Sequence, residues 1–404
     1  MDQLQDLEPL WPFAVAGVVA LALVAWLLFR RRSTGKSTGK STDESTAQAT
    51  GSVATPPADR RGRKATGTTP VPPPPPHVII LADEARTTKL CEVIALRCVR
   101  VKTASELLSL TKRAKPVAAF VDVKLVAELV GKLGAVPIVA IVDGSPAESV
   151  SKLVEVLGAH PSVAHVLAAP LLASPLGRAQ LKNLLERLAG GPEHDLLGAA
   201  SVGRIAMLAQ ASRREARFER MQHYFSKQGM SSRTISAIYE VAEELVMNAL
   251  YNAPTEAGYF KTPVSRMDDV TLPMDRACEV SYGIEAGTAF VRVRDTFGAL
   301  RLPRLLEVLN RCNSTAVTLD ESRGGAGLGI WRVFSAATTI AITVIPGRLT
   351  DILIRMVPKQ GKTAKQLLAV DLFFLPETNA IPDALALDQT SGLFEQSITM
   401  MISN

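Results

Sequence analysis

Glu244, Asn248 and Asn252 recur every fourth residue in the stretch EELVMNALYNAP (243–254). On a helix, positions i, i+4 and i+8 fall along one line of the surface. A carboxylate and two amides in such a line offer oxygen ligands suited to a hard divalent cation and hydrogen-bonding groups suited to phosphate. The same line also describes a solvated helix face. Ile235, Ile238, Ala242, Leu245 and Ala249 repeat at three- and four-residue spacing and form the apolar stripe of the same helix. The three polar residues therefore point away from the core.

Two further stretches carry chemistry. VRVRDTFGAL (291–300) ends an alternating strand at Asp295 and turns at Gly298. A carboxylate held there can accept a hydrogen bond from an exocyclic amine. RGGAGLGIWRVF (323–334) places Gly325, Gly327 and Gly329 directly before a helical pattern. Glycine lets the backbone approach a phosphate closely, and a helix start supplies free N–H groups with positive potential. Each stretch alone is equally a tight turn or a helix start.

The order of the three, Glu-x-x-x-Asn-x-x-x-Asn, then a strand-end Asp with glycine, then GxGLG before a helix, resembles the GHKL ATPase superfamily. The resemblance spans about residues 205–358. It implies an ATP-binding α+β sandwich with ATP and Mg²⁺ as cofactors. Asn248 would coordinate the Mg²⁺ and Glu244 would be the polarising base. Asn252 would lie near the phosphates or ribose, and Asp295 and Gly298 would form the adenine end. Gly325, Gly327 and Gly329 would fold around the phosphates. Residues 301–322 would be a mobile lid whose candidate phosphate contacts are Asn310, Arg311 and Asn313. The second motif departs from the family: Phe297 and Ala299 stand where glycines are usual.

A sensor histidine kinase needs a histidine on a dimerising helix, usually followed by an acidic residue. His223 has no adjacent carboxylate, and His194-Asp195 lies in a Gly- and Pro-flanked stretch. The block is therefore most similar to the anti-sigma serine kinases, which bind a protein partner and phosphorylate serine. Three readings compete: an ATP-dependent kinase or switch, a non-catalytic scaffold or adaptor, and an atypical histidine kinase. A signalling protein partner is implied, and a homodimer is left open.

The elements that must position these residues begin after a long preamble. The chain has 404 residues, 47% apolar and 21% charged, enough for two or three domains with real cores. The net charge is +6, and the basic residues Arg30 to Arg32, Lys36, Lys40 and the Arg60 to Lys64 cluster before residue 70 read as membrane-flank and linker chemistry, so no nucleic-acid surface is expected. Residues 11–29, WPFAVAGVVALALVAWLLF, carry no charge and would reach about 28 Å as a helix. Arg30 to Arg32 follow, which predicts a single transmembrane helix within residues 1–32, anchored in the inner (plasma) membrane with the remainder cytoplasmic. Residues 33–76 read as a Ser/Thr/Lys- and Pro-rich linker.

Residues 77–190 alternate short apolar runs, HVIILAD, VAAFVDV, VPIVAIVDG and VAHVLAAP, with helical patterns, which implies parallel strands. Acidic residues at the ends of the first two runs resemble a response-regulator receiver, a flavodoxin-like α/β fold. Asp83 and Glu84 would be the acidic pair and Asp122 the phosphoacceptor. Val142-Asp143 and Ala169-Pro170 replace the family's Thr or Ser and its Lys, so the resemblance is to a degenerate receiver serving as a docking module. Residues 192–360 would be the ATPase-like domain, opening with helices at about 203–228 and 231–252. Residues 361–404 are a tail mixing apolar and acidic residues. The four cysteines form no CxxC pair, which argues against zinc.

Overall fold

The computed structural model describes residues 75–143, 149–192, 194–198, 201–262, 264–313, 328–357 and 367–376. The apolar run 11–29 and nearly all of the linker lie outside them. Among the described residues no helix is long and apolar enough to cross a membrane.

Buried apolar runs make the first strands: β1 (His77–Leu81), β3 (Ala118–Asp122), β4 (Ile138–Val142) and β5 (His165–Ala168). All are buried along their full length, as strands covered on both faces must be. A short edge strand, β2 (Arg97–Arg100), completes a parallel set in the order β2-β1-β3-β4-β5. The connecting helices are α1 (Glu84–Val93), α2 (Ala104–Arg113), α3 (Val123–Leu129) and α4 (Ser149–Ala159), and α5 (Pro175–Gly190) follows β5. Asp83, Thr103 and Asp122 cap the starts of α1, α2 and α3 through their side chains.

The later strands are antiparallel: β6 (Val202–Leu208), β7 (Cys278–Glu285), β8 (Thr288–Asp295), β9 (Thr339–Ile345) and β10 (Leu349–Met356). Ala286 and Gly287 turn β7 into β8 with positive φ at both positions, the turn that suits the twist of a tight hairpin. Helices α6 (Arg214–Lys227), α7 (Ser232–Met247), α8 (Ala253–Glu256), α9 (Leu302–Asn313) and α10 (Leu328–Ala336) complete this part. The helix expected from about 203 is a strand to Leu208, and helix begins only at Arg214. Its residues pair with β7 in unbroken register from Val202↔Ile284 to Leu208↔Cys278, and that pairing overrides the local helical spacing.

The expected pair of folds, a flavodoxin-like receiver domain and a GHKL sandwich, is overturned. The described residues share one mixed sheet of eleven strands, ordered β2-β1-β3-β4-β5-β11-β9-β10-β8-β7-β6. The cause is β11 (Ala369–Phe374), drawn from residues expected to be tail. It pairs antiparallel with β5 on one side and parallel with β9 on the other. One apolar core runs under both halves of the sheet, from Leu107, Val126 and Leu153 to Phe218, Leu245 and Ile342. A smaller one covers the opposite face around Leu90, Leu172 and Leu184.

Candidate functional site

Helix α7 starts at a Ser231 cap and buries Ile238, Val241, Ala242, Leu245 and Val246. At Asn248 the backbone widens into a π turn, Asn248–Asn252, whose closing bond runs from the Ala253 N–H to the Asn248 carbonyl. Pro254 supplies the reason. It has no N–H to give, and in a regular helix its ring would press on the carbonyl four residues back. Such single π turns recur at functional sites.

The turn groups the polar line. Asn252 Nδ2 donates to Asn248 Oδ1 at 2.6 Å. Arg266 reaches in from the following loop, with Nη1 at 3.4 Å from Glu244 Oε2 and Nη2 at 3.4 Å from Asn248 Oδ1. Buried Tyr251 holds that loop by donating from its hydroxyl to the Asp268 carbonyl at 2.6 Å. The Asp268 carboxylate in turn accepts from the Ser265 N–H at 2.9 Å. Glu244 and Asn248 thus present oxygens to a cation, and a guanidinium already answers them.

Gly329 lies in the first turn of α10 instead of ahead of it, and α10 packs on α7. A methyl group on Gly329 would overlap the Glu244 carboxylate. The first and third stretches therefore meet, carboxylate against helix start. Gly325 and Gly327 lie outside the described residues.

Asp295 ends β8, which packs against α7 and the π turn. It is 6% exposed, and its Oδ1 accepts from the N–H groups of Phe297 at 2.9 Å and Gly298 at 3.2 Å. Burial pushes its pKa up to about 6, against the pull of those two amides. Thr350 is its direct cross-strand partner on β10. Gly298 has φ +57°, and any side chain there would meet the Ile345 carbonyl, so this turn admits only glycine. Phe297 is buried between Tyr259, edge-on at 5.6 Å, and the Arg276 guanidinium, also at 5.6 Å. The Thr296 hydroxyl is buried without a partner among the described residues.

The expected phosphate contacts of the lid go elsewhere. The Asn310 side chain fills the space left by Gly158 on α4, and Asn313 Nδ2 donates to the Ser151 carbonyl at 3.3 Å. Helix α9 thus turns these amides towards α4. Arg311 lies on the same helix, and residues 314–327 fall outside the description.

At the ends of β1, β3 and β4 the carboxylates of Asp83, Asp122 and Asp143 surround one guanidinium, that of Arg86. It lies 2.9 Å from Asp83 and 2.5 Å from Asp122, and it also bonds Asp143. Asp122 spends its other oxygen on the Lys124 N–H at 3.0 Å. Glu84 lies in the first turn of α1. Among the described residues no group of three His, Cys, Asp or Glu side chains could hold a metal. His223 is exposed on α6, and His194 sits against Gly190 after α5.

Arg266 and Arg86 are the site residues that spacing did not single out. Arg266 reaches a carboxylate 22 residues away, and Arg86, besides its neighbour Asp83, reaches carboxylates 36 and 57 residues away, which no local pattern marks. No family model matches the chain, and no curated protein matches it at a significant level.

Proposed function

We propose that this protein is a nucleotide-responsive signalling module that takes ATP with Mg²⁺ between α7, its π turn, the end of β8 and the start of α10. The observation that carries the reading is the packing of Glu244 against Gly329, one helical turn from Asn248. Asp295 lies on the strand that packs against the same π turn. The order of these residues along the chain is also that of the GHKL ATPases.

The donor set fits a hard cation. Asn248 Oδ1 and the Glu244 carboxylate are oxygen ligands, and Mg²⁺ characteristically takes only one or two protein groups with phosphates and water. When bound, Mg²⁺ would offset the charge of the triphosphate. The chain's own residues do the rest. Arg266, half exposed and bonded only at 3.4–3.5 Å, can exchange Glu244 and Asn248 for phosphate oxygens. Asp295, mostly ionised at pH 7 with a pKa of about 6, accepts from an amine. The Thr296 hydroxyl has bonding capacity to spare. Phosphoryl transfer to a protein serine, as the anti-sigma kinases perform, is the finer form of this proposal.

A non-catalytic adaptor is the second reading. The burial of Phe297 and the locking of Asp122 by Arg86 favour it. Thermal unfolding of the full chain with Mg²⁺ and ATP, ADP or GTP separates the two. Saturation to about 100 Kd stabilises by roughly 2.7 kcal/mol, so adenine nucleotides should raise Tm by several degrees. If none of the three moves Tm, the adaptor reading stands.

A further inference from the structure

Among the described residues strand β6 ends the sheet, with no strand beside its outer edge. Val202 is 67% exposed and Ile205 44%. An edge that shows apolar side chains is ordinarily blunted by proline, charge or a cover. Here α6 runs beside it, pinned by the Tyr224 hydroxyl, which donates to the Val202 carbonyl at 3.2 Å. Between strand and helix lies a groove of about 380 Å³.

The groove is cationic. Arg204 from β6, and Arg217, Arg220, His223 and Lys227 from α6, line it above an aromatic floor that includes Tyr282. Burial raises the pKa of Tyr282, and the charges of Arg204, Arg217 and Arg220, which line the same groove, work against that rise. Among the described residues none of the four cations Arg204, Arg217, Arg220 and Lys227 has a carboxylate partner. A concave surface beside a strand edge, with an apolar floor and clustered guanidiniums, suits an extended, acidic, partly apolar peptide.

This chain carries such a peptide. Residues 377–404 contain Glu377, Asp383, Asp388 and Glu395 and no Lys, Arg or His, in a chain whose net charge is +6. The run LFEQSITMMI (393–402) has neither proline nor glycine and is rich in residues that pair well as strand. From β11 to β6 there are five strand spacings, roughly 24 Å. Twenty-eight extended residues reach roughly 90 Å.

We propose that the acidic segment 377–404 docks in the groove between β6 and α6 of its own chain, lengthening the sheet at the β6 edge and placing its carboxylates among Arg204, Arg217 and Arg220. The site is independent of the proposed nucleotide cleft, and its test uses no nucleotide. The full chain carries a photo-crosslinking p-benzoylphenylalanine in place of Phe394, and the products are mapped by mass spectrometry. The expected cross-links fall within one chain, on residues 202–208 or 217–227. Their yield should drop about tenfold in Arg217→Glu/Arg220→Glu and return when Asp388→Lys/Glu395→Lys is added. Cross-links elsewhere, cross-links joining two copies, or a yield unmoved by charge reversal would overturn the proposal. Should the reversed variant fail to fold, the wild-type map alone decides.

Discussion

Arg355 on β10 and Glu285 on β7 meet at 2.5 Å, with side chains only 1% and 5% exposed. Arg355 also donates to Gln180 Oε1 at 3.0 Å and to the Leu196 carbonyl at 2.6 Å. Gln180 passes the connection to Asp371 on β11, and Asp371 to His165 on β5 at 3.1 Å. One buried chain of partners thus crosses the seam that β11 makes between the two halves of the sheet.

Breaking that pair should be costly. Glu285→Ala leaves a guanidinium in the core without its carboxylate, and about 3–5 kcal/mol of stability should disappear in denaturant unfolding. The double variant Glu285→Leu/Arg355→Met should be milder than the single one. A single variant within about 1 kcal/mol of wild type would show that the pair does not hold the seam.

Arg86 joins the carboxylates of Asp83, Asp122 and Asp143 through one guanidinium. Arg86→Ala should lower stability by roughly 2 kcal/mol, since it leaves three carboxylates facing one another. Acetyl phosphate should leave Asp122 of the wild-type chain unlabelled, because both of its oxygens are engaged. Stoichiometric labelling, checked by intact mass, contradicts the lock.

Asp295 should make stability fall with rising pH. Its folded pKa of about 6 lies above the unfolded value, so between roughly pH 4 and 6 the folded state binds more protons than the unfolded one. The contribution is fully present below pH 4 and lost as pH passes 6, by about 2–3 kcal/mol in all. Asp295→Asn keeps an acceptor for the Phe297 and Gly298 amides and has no charge to bury. It should therefore be more stable than wild type at pH 8, equal to it near pH 4, and weaker in ATP binding. A pH-stability profile parallel to that of wild type removes Asp295 as the cause.

Gly329→Ala tests the site without unfolding it. The added methyl meets the far end of a flexible side chain, so Glu244 can move away, and alanine favours the helix by about 1 kcal/mol. Stability should hold or rise slightly, while ATP affinity falls at least about tenfold because Glu244 and Arg266 lose their arrangement. Unchanged affinity would separate Glu244 from the ligand.

Helical spacing is a local property, so the line Glu244, Asn248 and Asn252 stands out in the sequence, and packing sets Glu244 against Gly329. The long-range pairings of the fold do not stand out in this way. Strand β11 is only six residues long, interrupted by Asp371, and its partners lie about 30 and 200 residues away. Nothing local distinguishes it from tail, yet it decides that the sheet is one. Strand β6 has apolar residues whose spacing suits either element, and only its pairing with β7 settles the matter. Spacing on α9 marks Asn310 and Asn313 as polar positions but cannot say that they face α4.

The most direct measurement is calorimetric titration of the full chain with ATP in excess Mg²⁺, beside Asn248→Ala. Wild type should bind one ATP per chain. The variant should show no heat of binding while keeping its unfolding transition, since Asn248 is half-buried and, among the described residues, its side chain bonds only Asn252 and Arg266. Equal affinity in the two proteins would contradict the account at its centre.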